Sequence, residues 1–82
     1  MADRPRRFLI RTNQPRPLAT ALAGLDAVRS LEIVGNDLTI ATMNAGEFAL
    51  ALPQAAVEHG CVLTEVRPLD ESLESLFREL SR

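Results

Sequence analysis

Val28-Arg29-Ser30-Leu31-Glu32-Ile33-Val34-Gly35-Asn36-Asp37-Leu38-Thr39-Ile40-Ala41-Thr42-Met43 reads as two β-strands joined by a tight turn. In the first, Val28 to Val34, Leu31 and Ile33 share one side and Ser30 and Glu32 the other. In the second, Leu38 to Met43, Leu38 and Ile40 face the core. Gly35-Asn36-Asp37 between them is a strong hairpin signal, because all three residue types tolerate positive φ or tight turns.

Toward the N-terminus, Leu18, Ala21, Leu22 and Leu25 recur at helical spacing and form a core stripe. Pro15 and Pro17 suit the start of that helix and Gly24 weakens its end. Arg7 to Thr12 before it reads as a strand, with Phe8 and Ile10 on one side and Arg7 and Arg11 on the other. Met1 to Pro5 is a loose lead-in.

Toward the C-terminus, Asn44 is a suitable N-cap with Glu47 three residues later. A helix would run from there to about His59, with Gly60 as a C′ glycine. Pro53 opposes it, since proline removes a helical hydrogen bond and clashes with the preceding turn. A helix kinked at Pro53 is the expectation. The alternatives are a helix that starts at Pro53, or an extended run with Phe48, Leu50 and Leu52 alternating. Cys61 to Arg67 is a fourth strand, with Val62, Thr64 and Val66 opposite Cys61 and Leu63, and Pro68 stops it.

The order β-α-β-β-α-β, followed by one more helix, implies an α+β fold of the split βαβ, ferredoxin-like kind. Two helices would cover one face of a four-stranded antiparallel sheet. Right-handed crossovers favour the spatial strand order 4-1-3-2.

The last helix begins near Ser72, a good N-cap. Asp70, Glu71 and Glu74 lie at its positive end, and Arg78 and Arg82 at its negative end. Leu73, Leu76, Phe77 and Leu80 form one apolar stripe that needs a surface to bury it. Ser72-Leu73-Glu74-x-x-Phe77-x-x-Leu80 resembles the C-terminus of bacterial ABC transporter ATP-binding subunits of the drug- or polysaccharide-export type. In many of these a small accessory domain of unknown function follows the ATPase domain and ends in Ser-Leu-Glu-Asp-x-Phe-x-x-Leu. Ser75 stands here where Asp is usual. The motif covers the last dozen residues; the element order covers most of the chain.

The resemblance implies that residues 1–82 are one accessory domain, the C-terminal piece of a larger ATP-binding protein. ATP and magnesium would belong to that parent protein, and this chain would carry no cofactor. Its partners would be the ATPase domain and the transporter subunits, or a second copy in a homodimer. Ser72, Leu73, Glu74, Phe77 and Leu80 would form the partner interface. The expected location is cytoplasmic, peripheral to the inner membrane through the transporter complex.

Composition bounds the same reading. Eighty-two residues make one domain, and a chain this short buries only about 60% of its unfolded surface. A hydrophobic content of 46% argues against disorder. No apolar run approaches the roughly 20 residues that span a bilayer, and the N-terminus lacks the pattern of a signal peptide. The single cysteine cannot form an internal disulfide, which fits a reducing compartment.

The candidate chemistry is sparse. All nine basic residues are arginine, and the four glycines are isolated. A phosphate-binding loop needs clustered glycines and a lysine, so this chain is not an ATPase by itself. His59 and Cys61 are the only soft metal-ligand candidates, and two ligands do not close a zinc site. They also lack a third group for a catalytic pair. Asp70, Glu71 and Glu74 are explained by the helix start rather than by a cation site.

Arg4, Arg6, Arg7, Arg11 and Arg16 against Asp3 give the first 17 residues a charge of +4. Nucleic-acid binding would exploit that charge, but RNA-recognition modules of this element order stack bases on aromatic side chains of the central strands. None is available on strand three, and Phe8 is assigned to the core. A solvated sheet face or an acidic partner surface suits the arginines better. A second reading is a small-ligand-sensing regulatory module of the same element order. Such modules bind at a glycine-bearing first loop, and Asn13-Gln14-Pro15-Arg16 has no glycine.

Overall fold

The computed structural model describes residues 4–69. The expected C-terminal helix, with Ser72, Leu73, Glu74, Phe77 and Leu80, lies outside the described residues. Within them the order is β1 (Arg6–Thr12), α1 (Pro15–Ala23), β2 (Val28–Val34), β3 (Asp37–Thr42), α2 (Ala45–Glu58) and β4 (Leu63–Pro68). The strands form one antiparallel sheet in the order β2-β3-β1-β4. The fold class is therefore α+β.

The hairpin forms where the turn residues put it. Val34 pairs with Asp37 across Gly35-Asn36. Gly35 has φ of 64°, and Asn36 keeps a negative φ. Positive φ at the first central residue alone is the requirement of a type II′ turn, whose twist suits the flanking strands.

One side of the sheet carries the core. Ile10, Leu38 and Ile40 meet Leu18, Ala19 and Leu22 of α1 and Phe48, Leu52, Ala55 and Ala56 of α2. Phe8, Leu31 and Ile33 pack at its margin. The Phe8 and Phe48 rings lie 5.6 Å apart, which fixes the N-terminal turn of α2 over β1.

Both helices start by the same device. Thr12 and Thr42 end their strands buried, and each hydroxyl accepts the backbone N–H two residues on, from Gln14 at 3.2 Å and Asn44 at 3.0 Å. These turns satisfy two buried hydroxyls while re-aiming the chain. The caps then differ. Asn44 Oδ1 accepts the Glu47 N–H at 3.0 Å, as its sequence context implies. Gln14 makes no side-chain cap to α1. Pro15 and Pro17 carry no N–H, which removes two of the donors a cap would serve.

α2 runs unbroken through Pro53 from Ala45 to Glu58, so the extended alternative and the start at Pro53 are both corrected. Pro53 and Ala49, the residue whose carbonyl loses its i+4 donor, are both exposed, so water can replace the missing bond. The helix ends as expected at Gly60, with φ of 66°. Gly60 N–H donates to the Val57 carbonyl and Cys61 N–H to the Ala56 carbonyl, a complete Schellman motif.

β4 departs from simple alternation. Thr12 pairs with Leu63 but Arg11 pairs with Glu65, so Thr64 is an extra residue. This bulge flips the parity and puts Leu63 and Val66 on the core side together, correcting the expected grouping of Val66 with Val62 and Thr64. Pro68 is the strand's last residue rather than a stop outside it. An edge strand tolerates it because no further ladder N–H is needed there.

Candidate functional site

α2 is apolar on two opposite sides. At about 100° per residue, Phe48, Leu52, Ala55 and Ala56 project into the core. Leu50 and Val57 fall on the opposite side, with Pro53 to one flank and Gln54 to the other. Leu50 is 75% exposed and Val57 80% exposed. Its exposed polar side chains Glu47, Gln54 and Glu58 occupy one flank only. Pro53, Gln54, Val57 and Glu58 lie together there on an open, nearly flat surface. A surface helix ordinarily has one apolar stripe and a polar back; here the polar residues are confined to one flank, and Leu50 and Val57 stand exposed beside them. The run Ala49-Leu50-Ala51-Leu52 held that signal in the sequence, but Pro53 drew the reading to backbone conformation instead.

The helix-free side of the sheet is different in kind. Register places Val34, Asp37, Arg11 and Glu65 in one row, and Glu32, Thr39, Leu9 and Arg67 in the next. Arg11 Nε and Nη2 donate to the two Asp37 carboxylate oxygens at 2.9 and 3.2 Å, and its Nη1 donates to Glu65 at 3.1 Å. Arg67 donates to the other Glu65 oxygen at 3.0 Å. The hydrogen bond from Arg11 is the main cause that holds the Asp37 carboxyl below its usual range, and the same bond raises Arg11.

Arg11 therefore belongs to a balanced network and is not part of an uncompensated cationic face. Its neutralisation weakens the idea that the N-terminal arginines seek an acidic partner through this side. A polar, charge-paired surface is what an antiparallel sheet normally shows to water.

The remaining candidates resolve simply. His59 is the exposed C-cap of α2, and Cys61 is buried beside it. The Cys61 Sγ lies 3.6 Å from the His59 carbonyl oxygen and 3.8 Å from that of Gln14. Among the described residues no group of three His, Cys, Asp or Glu side chains is placed to hold a metal ion. In the first loop, Asn13 Oδ1 accepts the Val62 N–H at 2.9 Å, which ties this loop to the start of β4. Among the described residues no helix is long and apolar enough to cross a membrane.

Compared with protein-family models, curated proteins and solved structures, the chain has no significant match.

Proposed function

We propose that this chain is a non-catalytic accessory domain that works by contact, packing on or dimerising the ATPase domain of an ABC transporter ATP-binding subunit. The observation that carries the contact role is the outer side of α2, where Leu50 and Val57 stand exposed beside Pro53. The motif Ser72-Leu73-Glu74-x-x-Phe77-x-x-Leu80 supports the assignment to that family. ATP and magnesium then act in the parent ATPase, and the domain stays at the cytoplasmic side of the transporter.

The finer fold reading, ferredoxin-like with an added C-terminal helix, belongs with this proposal. It is supported by the strand order, 4-1-3-2 when taken from the β4 edge, and by both helices packing into one core.

Two observations test the proposal. A phosphate-loop ATPase in the reading frame upstream of Met1 supports it, and an in-frame stop codon there removes the family assignment. Leu50→Asp in the full subunit should weaken association between subunits or lower transport without loss of the domain's fold. Unchanged association and transport would count against the contact role.

A further inference from the structure

We propose that the outer edge of β2 is a homodimer surface, where β2 of a second copy of this chain adds antiparallel to β2 and the two four-stranded sheets become one. The inference uses neither the outer side of α2 nor the family resemblance.

The two edges of the sheet are unequal. β4 is interrupted by its bulge at Thr64 and ends in Pro68, and both features discourage a further strand. β2 pairs regularly with β3 from Ser30 to Val34, and among the described residues no strand covers its other side. A two-residue turn closes on a hydrogen-bonded pair, here Val34 with Asp37. Alternation along the ladder then directs the backbone groups of Glu32 and Ser30 to β3 as well. It turns the N–H and C=O of Leu31 and Ile33 outward, where an added strand can bond to them.

The core is also unfinished at this edge. Seven apolar side chains are only partly buried at its margin, and four of them meet here. They are Val28, Leu31 and Ile33 of β2 and Leu25, whose carbonyl accepts the Val28 N–H at 3.1 Å. A strand added along β2 extends the sheet beside them and supplies its own Leu31 and Ile33 on the same side.

The sequence of β2 selects one register. With Leu31 opposite Leu31 of the copy on the two-fold axis, Ser30 falls opposite Glu32, whose carboxylate accepts from the serine hydroxyl. Past the bulge at Arg29, Val28 comes opposite Ile33, both on the core side. Opposite side chains share a face, so each pair matches in kind. Sliding the copy two residues one way sets Glu32 against Glu32, a like-charge pair at the axis. Sliding it two residues the other way carries Ile33 beyond the start of β2 at Val28. A one-residue slip sets core-side residues against open-side ones.

Charge changes at two exposed positions test this. Ser30→Glu sets a second carboxylate against Glu32 at both symmetry-related pairs, and Ser30→Arg sets a guanidinium there instead. In sedimentation equilibrium of the full chain, Ser30→Glu should raise the dimer dissociation constant at least about threefold, and Ser30→Arg should lower it by as much. Ser30→Glu combined with Glu32→Arg should return the constant to that of wild type or below. A chain that stays monomeric up to about 1 mM, or a dimer whose constant follows any other order, would overturn the proposal. Leu50→Asp should leave the constant unchanged, so failure of the contact role of α2 and failure here are read separately. A dimer lost in Leu50→Asp, with both Ser30 variants at the wild-type constant, would place the contact on α2 and overturn the role of β2.

Discussion

Arg11 and Asp37 stand directly opposite each other on adjacent strands, and the guanidinium grips both carboxylate oxygens at 2.9 and 3.2 Å. The pair closes the sheet side of the hairpin, because Asp37 is also the first residue after the Gly35-Asn36 turn. Glu65 extends the link to β4, so one arginine couples three strands.

That geometry predicts the acid behaviour of the domain. The folded-state pKa of Asp37 is depressed from its ordinary 3.8. The stabilisation is therefore complete above the unfolded value and is lost as pH falls through the folded one. Asp37→Asn should be modestly less stable than wild type at pH 7, with a smaller gap at high salt because the pair is exposed. Melting curves taken stepwise into acid should converge. A gap that persists well below pH 3 would mean that Asp37 acts through packing instead.

Pro53 breaks a local rule in mid-helix and does so on the outer side of α2. A proline inside a helix costs about 3 kcal/mol relative to alanine in peptide hosts. Replacing it restores a donor for the Ala49 carbonyl, so Pro53→Ala should raise stability, by roughly 1–3 kcal/mol in chemical denaturation. A loss of stability would mean that the proline ring makes a contact that outweighs its backbone cost.

The parts of this fold that were legible in the sequence share a cause: each is set by a few neighbouring residues. Gly35 supplied a positive φ, Asn44 a cap and Gly60 a helix stop, and each lies where its local chemistry puts it. What was missed depends on tertiary context. The bulge at Thr64 shows only when β4 is laid against Arg11 and Thr12. The helix through Pro53 is the favoured expectation, and what settles it over the alternatives is tertiary: Phe48 and Leu52 anchor its first half in the core. The pairing of Arg11 with residues 26 and 54 positions away takes one arginine out of the charge polarity that counting along the chain suggests.

The glycines offer an internal contrast. Gly60 has φ of 66° with nothing within 4 Å of an added Cβ, so its constraint is conformational alone. Gly60→Ala should cost roughly 1–2 kcal/mol, the penalty of a left-handed L-residue. Gly24 has φ of −87° and its added Cβ would meet only the Ala21 carbonyl oxygen at an ordinary 3.8 Å. Gly24→Ala should therefore be neutral or stabilising, up to about 1 kcal/mol, by restricting the unfolded chain. Denaturant midpoints of the two variants should move in opposite directions. Equal shifts of one sign would refute the assigned backbone conformations.

The last prediction concerns nucleic acid. On the open side, the central strands β1 and β3 present Arg7, Leu9 and Arg11 beside Asp37, Thr39 and Ala41. No aromatic ring is among them; Phe8 points the other way, into contact with Phe48. Base stacking on aromatic side chains is worth about 1–3 kcal/mol per base, and that contribution has no platform here. Arg11 is held by two carboxylates that a phosphate would have to displace. Mobility shifts with single-stranded RNA or DNA at about 150 mM salt should be absent into the micromolar range. A shift that falls steeply with added salt would reveal phosphate contacts by the N-terminal arginines and would reverse this reading.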